Sequence, residues 1–140
     1  MSNQNHTDFV PVKKLYTTLS EDDLDLNQGN IVPVGQNFIC VYPEEVVQIV
    51  APEANVNGVI IRTGLCAPAT GWVNLYTGPS IPSSGPTDAS NPIIFAGNGS
   101  KTTGSNSQTL MPNPLFIPAG YGLWTLSSGV GAIALTWDVL

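Results

Sequence analysis

Charge is what this chain has least of. Asp, Glu, Lys and Arg together supply 10% of its 140 residues, against about 25% in ordinary globular domains. Basic side chains are the scarcer kind: four Lys and Arg against ten Asp and Glu leave a formal net charge of −6. That balance provides no electrostatic footprint for nucleic acid and none for an anionic membrane surface. Histidine occurs once, as His6, in a polar N-terminal stretch where nothing would hold it against a nucleophile. A Ser-His-Asp or Cys-His arrangement therefore lacks its base, and His6 reads as a solvated tail residue. Cys40 and Cys66 stand far apart with no second Cys or His beside either, so metal-ligand spacing is absent. They read as free cysteines of a core, a disulfide between them being the alternative. No apolar run approaches the roughly 18 residues that would cross a bilayer. Met1 to Tyr16 is polar, without the apolar stretch of a signal peptide, so synthesis in a cytoplasm is expected.

The remaining chemical candidates fail on spacing. Glu44 and Glu45 are neighbours and would point to opposite faces of a strand, whereas glycosidase carboxylates flank a cleft. Glu53 sits in a turn, Asp138 on an outer strand face. The acidic stretch from Asp23 through Asp25 to Gly29 has neither the glycine nor the final glutamate of an EF-hand in register. Gly97-Asn98-Gly99-Ser100-Lys101 lacks the rest of a phosphate loop and falls between strands. Neither a catalytic residue, a metal site nor a cofactor is expected.

What is abundant is punctuation. Fourteen Gly and twelve Pro break the chain at short intervals, which no helix bundle tolerates. Residues 1–30 read as an extended N-terminal arm, holding Asp8, Glu21, Asp22, Asp23 and Asp25, with Phe9, Val10, Val12, Leu15 and Tyr16 as apolar docking residues. Residues 31–140 read as one β domain. Short apolar runs predict strands at 31–34, 37–42, 46–50, 56–63, 71–77, 92–96, 109–117, 121–126 and 130–139, the prolines at 112 and 114 marking an edge or bulge. Residues 78–91 and 97–107 are polar loops that would point outward. In the 56–63 strand, Val59, Ile61 and Thr63 are expected on one face, Ile60 and Arg62 on the other. The last strand alternates most cleanly, with Ile133, Leu135, Trp137 and Val139 opposite Ala132, Ala134, Thr136 and Asp138. The fold class predicted is all-β: a single jelly-roll-like β-sandwich of about eight strands. From Ala54 to Trp137 only Arg62, Asp88 and Lys101 are charged, a surface composition that points to contact with other protein, the Ser/Thr/Asn-rich surface of an extracellular β-protein that stands alone being the alternative.

Trp72, Tyr76, Tyr121 and Trp124 read as core or interface aromatics. As an alternative, exposed Trp72 and Tyr76 would form a stacking platform for a glycan. Two further stretches carry a family likeness: Asn55-Val56-Asn57-Gly58-Val59-Ile60-Ile61-Arg62-Thr63, and Pro114-Leu115-Phe116-Ile117-Pro118-Ala119-Gly120-Tyr121-Gly122-Leu123-Trp124. Over residues 45–140 the chain resembles small structural proteins of tailed bacteriophages. The resemblance implies a virion-associated β-sandwich: a head decoration or cement protein, a head fibre or a small tail component. It implies a homotrimer on the capsid surface, bound to the major capsid protein or another virion protein. The function so expected is non-enzymatic stabilisation of the shell, with Phe9, Val10, Leu15 and Tyr16 as the capsid-docking arm. The alternative is a receptor- or glycan-binding module of a phage tail or cell surface.

Overall fold

A computed structural model describes residues 33–83 and 91–140. Ten strands follow one another along them: β1 (Asn37–Val41), β2 (Val47–Val50), β3 (Val59–Pro68), β4 (Gly71–Gly78), β5 (Ile93–Gly99), β6 (Asn106–Ser107), β7 (Thr109–Leu110), β8 (Leu115–Ile117), β9 (Gly122–Ser127) and β10 (Gly131–Val139). One 3₁₀ turn, Pro52–Ala54, completes the regular structure. It sits where Pro52-Glu53-Ala54-Asn55 predicts a turn.

The strands form two antiparallel sheets. In the first, β1 pairs β10 and β10 pairs β3, while β7 and β8 both pair β3. The second has the order β2-β9-β4-β5-β6. The pairs β1·β10, β2·β9, β3·β8 and β4·β5 are nested in the chain and alternate between the sheets. A single long antiparallel ribbon, bent between β4 and β5 and rolled so that successive rungs fall in opposite layers, gives this arrangement. It is the jelly-roll topology. The β-sandwich read from the sequence is thus the fold, and its eight main strands are joined by the two-residue segments β6 and β7.

Alternation explains the core. Val59, Ile61 and Cys66 of β3, Val73 and Leu75 of β4, and Ile133, Leu135 and Trp137 of β10 pack together between the sheets, with Phe95, Ile117 and Leu123. Each fully buried side chain of this size stabilises the fold by about 1.5–3 kcal/mol, an upper estimate because unfolded chains already bury some surface. Ala132, Ala134, Thr136 and Asp138 face outward, as the period of β10 predicts.

Several boundaries differ from those read off the sequence. β3 starts later and runs on through Gly64 and Cys66 to Pro68, because Gly64 packs against Leu135 and Phe95, where a Cβ would stand only 3.0 and 3.3 Å from their side chains. The expected placement of Thr63 beside Ile61 is also corrected. Thr136 pairs Thr63, but Trp137 pairs Ile61, so Arg62 is the extra residue of a β-bulge. The bulge resets the alternation, and Thr63 turns outward to meet the hydroxyl of Thr136 at 2.7 Å. β5 extends through Gly99 into a hairpin with β6, shortening the loop expected at 97–107. Pro112 and Pro114 divide the expected 109–117 strand into β7 and β8, since neither can donate a ladder hydrogen bond.

A candidate protein-contact face

The two stretches singled out in the sequence, residues 55–63 and 114–124, form one clasp. Asn55 is buried, and its Nδ2 donates to the carbonyls of Pro118 at 2.7 Å and Tyr121 at 2.8 Å. The Gly120 N–H returns a bond to the Asn55 carbonyl at 2.8 Å. Gly58 has a φ of +122°, and a Cβ there would lie 2.5 Å from the Phe116 ring, so both backbone and space call for glycine. Gly122 is needed for a different reason: the Trp124 indole crosses it, 2.4 Å from where a Cβ would be. The clasp holds β3 to the β8–β9 connection. Its role is architectural.

The first sheet turns the more unusual surface to solvent. Phe38 of β1 is 80% exposed, Leu110 of β7 73% and Phe116 of β8 59%. These three stand at the edges of a floor of short side chains, among them Cys40, Thr63 and Ala134. A depression of about 380 Å³ lies between Phe38, Cys40, Leu65, Leu110, Ala134 and Thr136. Large apolar side chains on an outward sheet face mark an interaction surface when they are contiguous.

The polar end of this face is built around the β3 bulge. Arg62 Nε donates to Asp138 Oδ2 at 2.8 Å, and the Gln36 N–H donates to Oδ1 at 2.7 Å. Partial burial by itself raises the Asp138 pKa; the Gln36 and Arg62 hydrogen bonds and the guanidinium charge outweigh it and hold the carboxyl below its ordinary value. Beside the ion pair, Thr136 Oγ1 accepts the Gly35 N–H at 3.1 Å. These bonds tie the segment before β1 to the last strand. Among the described residues of this face, the only charges are Arg62 and Asp138, and they cancel.

The other expected residues are distributed differently. Trp72 and Tyr76 do lie on one face of β4, the outward side of the second sheet, opposite Val73 and Leu75. Tyr76 is wholly buried, however, and its hydroxyl accepts a bond from Asn74 Nδ2 at 3.1 Å, while Trp72 is half-buried. A glycan platform made of this pair is corrected by that burial: Tyr76 has no free face on which a sugar ring could stack. Trp124 is buried as well, its indole N–H donating to Gln48 Oε1 at 3.2 Å. Tyr121 is the exposed member of the four. Cys40 and Cys66 are free and face opposite sides of the first sheet; burial pushes the Cys66 thiol up to about 12. Glu44, Glu45 and Glu53 are exposed in connections. The arm residues Phe9, Val10, Leu15 and Tyr16, with His6 and the acidic cluster, lie outside the described residues, as does Asp88. Among the described residues no group of three or more His, Cys, Asp and Glu is placed to hold a metal ion, and no helix is long and apolar enough to cross a membrane.

Sequence reasoning found the charge deficit but not the face. Phe38, Leu110 and Phe116 belong to three different strands, and only the order β1-β10-β3-β7, with β8 also on β3, gathers them. No protein-family model, no curated protein and no solved structure matches this chain.

Proposed function

We propose that this chain is a structural protein of a bacteriophage particle, an oligomeric decoration or cement protein that binds the capsid surface and stabilises the shell without catalysis. The observation that carries the reading is the outward face of the first sheet, apolar at Phe38, Leu110 and Phe116 and without net charge. Such a face suits protein–protein contact far better than a soluble substrate. The motif likeness supports the same reading, since its two stretches meet in one clasp rather than being unrelated turns.

The physical mechanism is added contact area. A rigid sandwich lodged across neighbouring capsid subunits buries surface that must be re-exposed before those subunits separate, at about 25 cal/mol per Å² of apolar area less the cost of ordering. Residues 1–30, with Phe9, Val10, Leu15 and Tyr16, serve as the docking arm and a homotrimer as the attached unit. The site of action is the virion, after synthesis in the host cytoplasm.

Co-sedimentation with undecorated particles tests this. The full chain pellets with the particles and raises the temperature at which they release their contents, and light scattering gives the mass of three chains. A chain lacking residues 1–30 keeps its β circular-dichroism spectrum but stays in the supernatant. Failure of the full chain to pellet would overturn the reading.

A further inference from the structure

We propose that the outward face of the first sheet packs against a second copy of this chain, Phe38 of one copy seating in the depression of the other. This rests on the virion-protein reading and names the partner at that face.

Charge favours a like partner. Among the described residues off this face, Glu44, Glu45 and Glu53 against Lys101 leave a net charge of −2, which gives two copies no attraction there. On this face Arg62 and Asp138 neutralise each other at 2.8 Å, so identical chains meet on it without like-charge cost from its described residues.

Size agrees. Four strands spaced about 4.8 Å apart, crossed by a long central strand rising about 3.4 Å per residue, make a face of roughly 19 by 30 Å. That is of the same order as the ~800 Å² per partner in a stable specific interface.

Shape agrees too. Phe38 projects from β1 at one rim of the depression, which runs across β10 and β3 to Leu110 of β7 at the opposite rim. Rim and hollow adjoin on one surface, so the Phe38 of each copy can enter the hollow of the other. Among the described residues β1 is an edge strand, and from Val34 to Tyr42 it carries no Lys, no other charge and no Pro, the devices that usually blunt an exposed edge.

Cys40 makes the contact measurable. It is exposed and lines the depression, whereas Cys66 is buried, so an aromatic disulfide reagent such as 5,5′-dithiobis(2-nitrobenzoate) reads Cys40 alone in the folded chain. The full-length protein is examined by light scattering and thiol titration beside Phe38→Asp and, as a second variant, Leu110→Asp. Both replaced side chains are largely exposed, and circular dichroism verifies that the variants fold. The expected result is a multimeric wild type whose Cys40 reacts about tenfold or more slowly than in the two variants, which are monomeric, because labelling then waits on dissociation. A multimer whose Cys40 reacts at the variants' rate would place the self-contact elsewhere and overturn the inference. A monomer whose Cys40 becomes protected only on particles would also overturn it, the partner being another virion protein, while the proposed function stood. A monomer that binds no particle would overturn both.

Discussion

Asn55 shows how much of this molecule's order rests on single polar side chains. It is 1% exposed and spans from the 3₁₀ turn to the β8–β9 connection, donating to two carbonyls 63 and 66 positions away in the chain. Truncation would leave the Tyr121 carbonyl without this donor, while the Pro118 carbonyl keeps the Tyr121 N–H at 3.2 Å; an unsatisfied buried group costs about 1–3 kcal/mol. Its own Oδ1 has no partner, so removing that orphan returns part of the loss. Asn55→Ala is therefore expected to destabilise by about 1–2 kcal/mol, read as a lower urea midpoint with an unchanged slope. Val56→Ala, at a neighbouring side chain that is 70% exposed, should stay within about 0.5 kcal/mol. Asp138 acts at the same scale through protons. Its folded pKa is held below the ordinary 3.8, so the folded state favours the carboxylate. Its contribution is complete above 3.8 and is lost as pH falls through the lower, folded value. The melting temperature should drop on that acid limb, and Asp138→Asn should flatten the limb while lowering stability at neutral pH.

At the scale of elements, the clean alternation of β10 made its faces legible, because every second residue is large and apolar and the partners on both sides obey the same period. β3 was legible only as far as Ile61. Nothing in Val59-Ile60-Ile61-Arg62-Thr63 announces that Arg62 will be extra, since the bulge is fixed by Asp138 on the neighbouring strand accepting from Arg62 Nε. The prolines at 112 and 114 marked an edge or a bulge in one strand, and instead they divide it. They could not tell that both halves would return to β3. Tyr76 and Trp124 illustrate a further limit: their spacing set the face of the strand they occupy, yet burial on that face depends on long-range neighbours. The arm-like composition of residues 1–30 remains a property of sequence. The candidate face was the least legible part. A deficit of charge is visible in composition, but a surface exists only once sheet order has brought distant strands together.

At the scale of the whole molecule, the nested ribbon places the last strand in the middle of the first sheet. β1 and β3 touch β10 rather than each other, so neither has a partner on that side until Gly131–Val139 arrives. Ala134 and Thr136, in the middle of the candidate face, belong to that same strand. Completion of the fold and creation of the contact surface are therefore one event, and incompletely folded chains have no face with which to associate. Thermodynamic linkage then follows. If only folded chains associate, association draws the folding equilibrium toward the native state, and apparent stability rises with protein concentration. The melting temperature of the wild type should climb by several degrees between low and high micromolar protein. That of Phe38→Asp should stay level, because its folded monomer gains nothing from a second copy. Parallel, concentration-independent melting of the two would show that the face contributes no self-contact in solution.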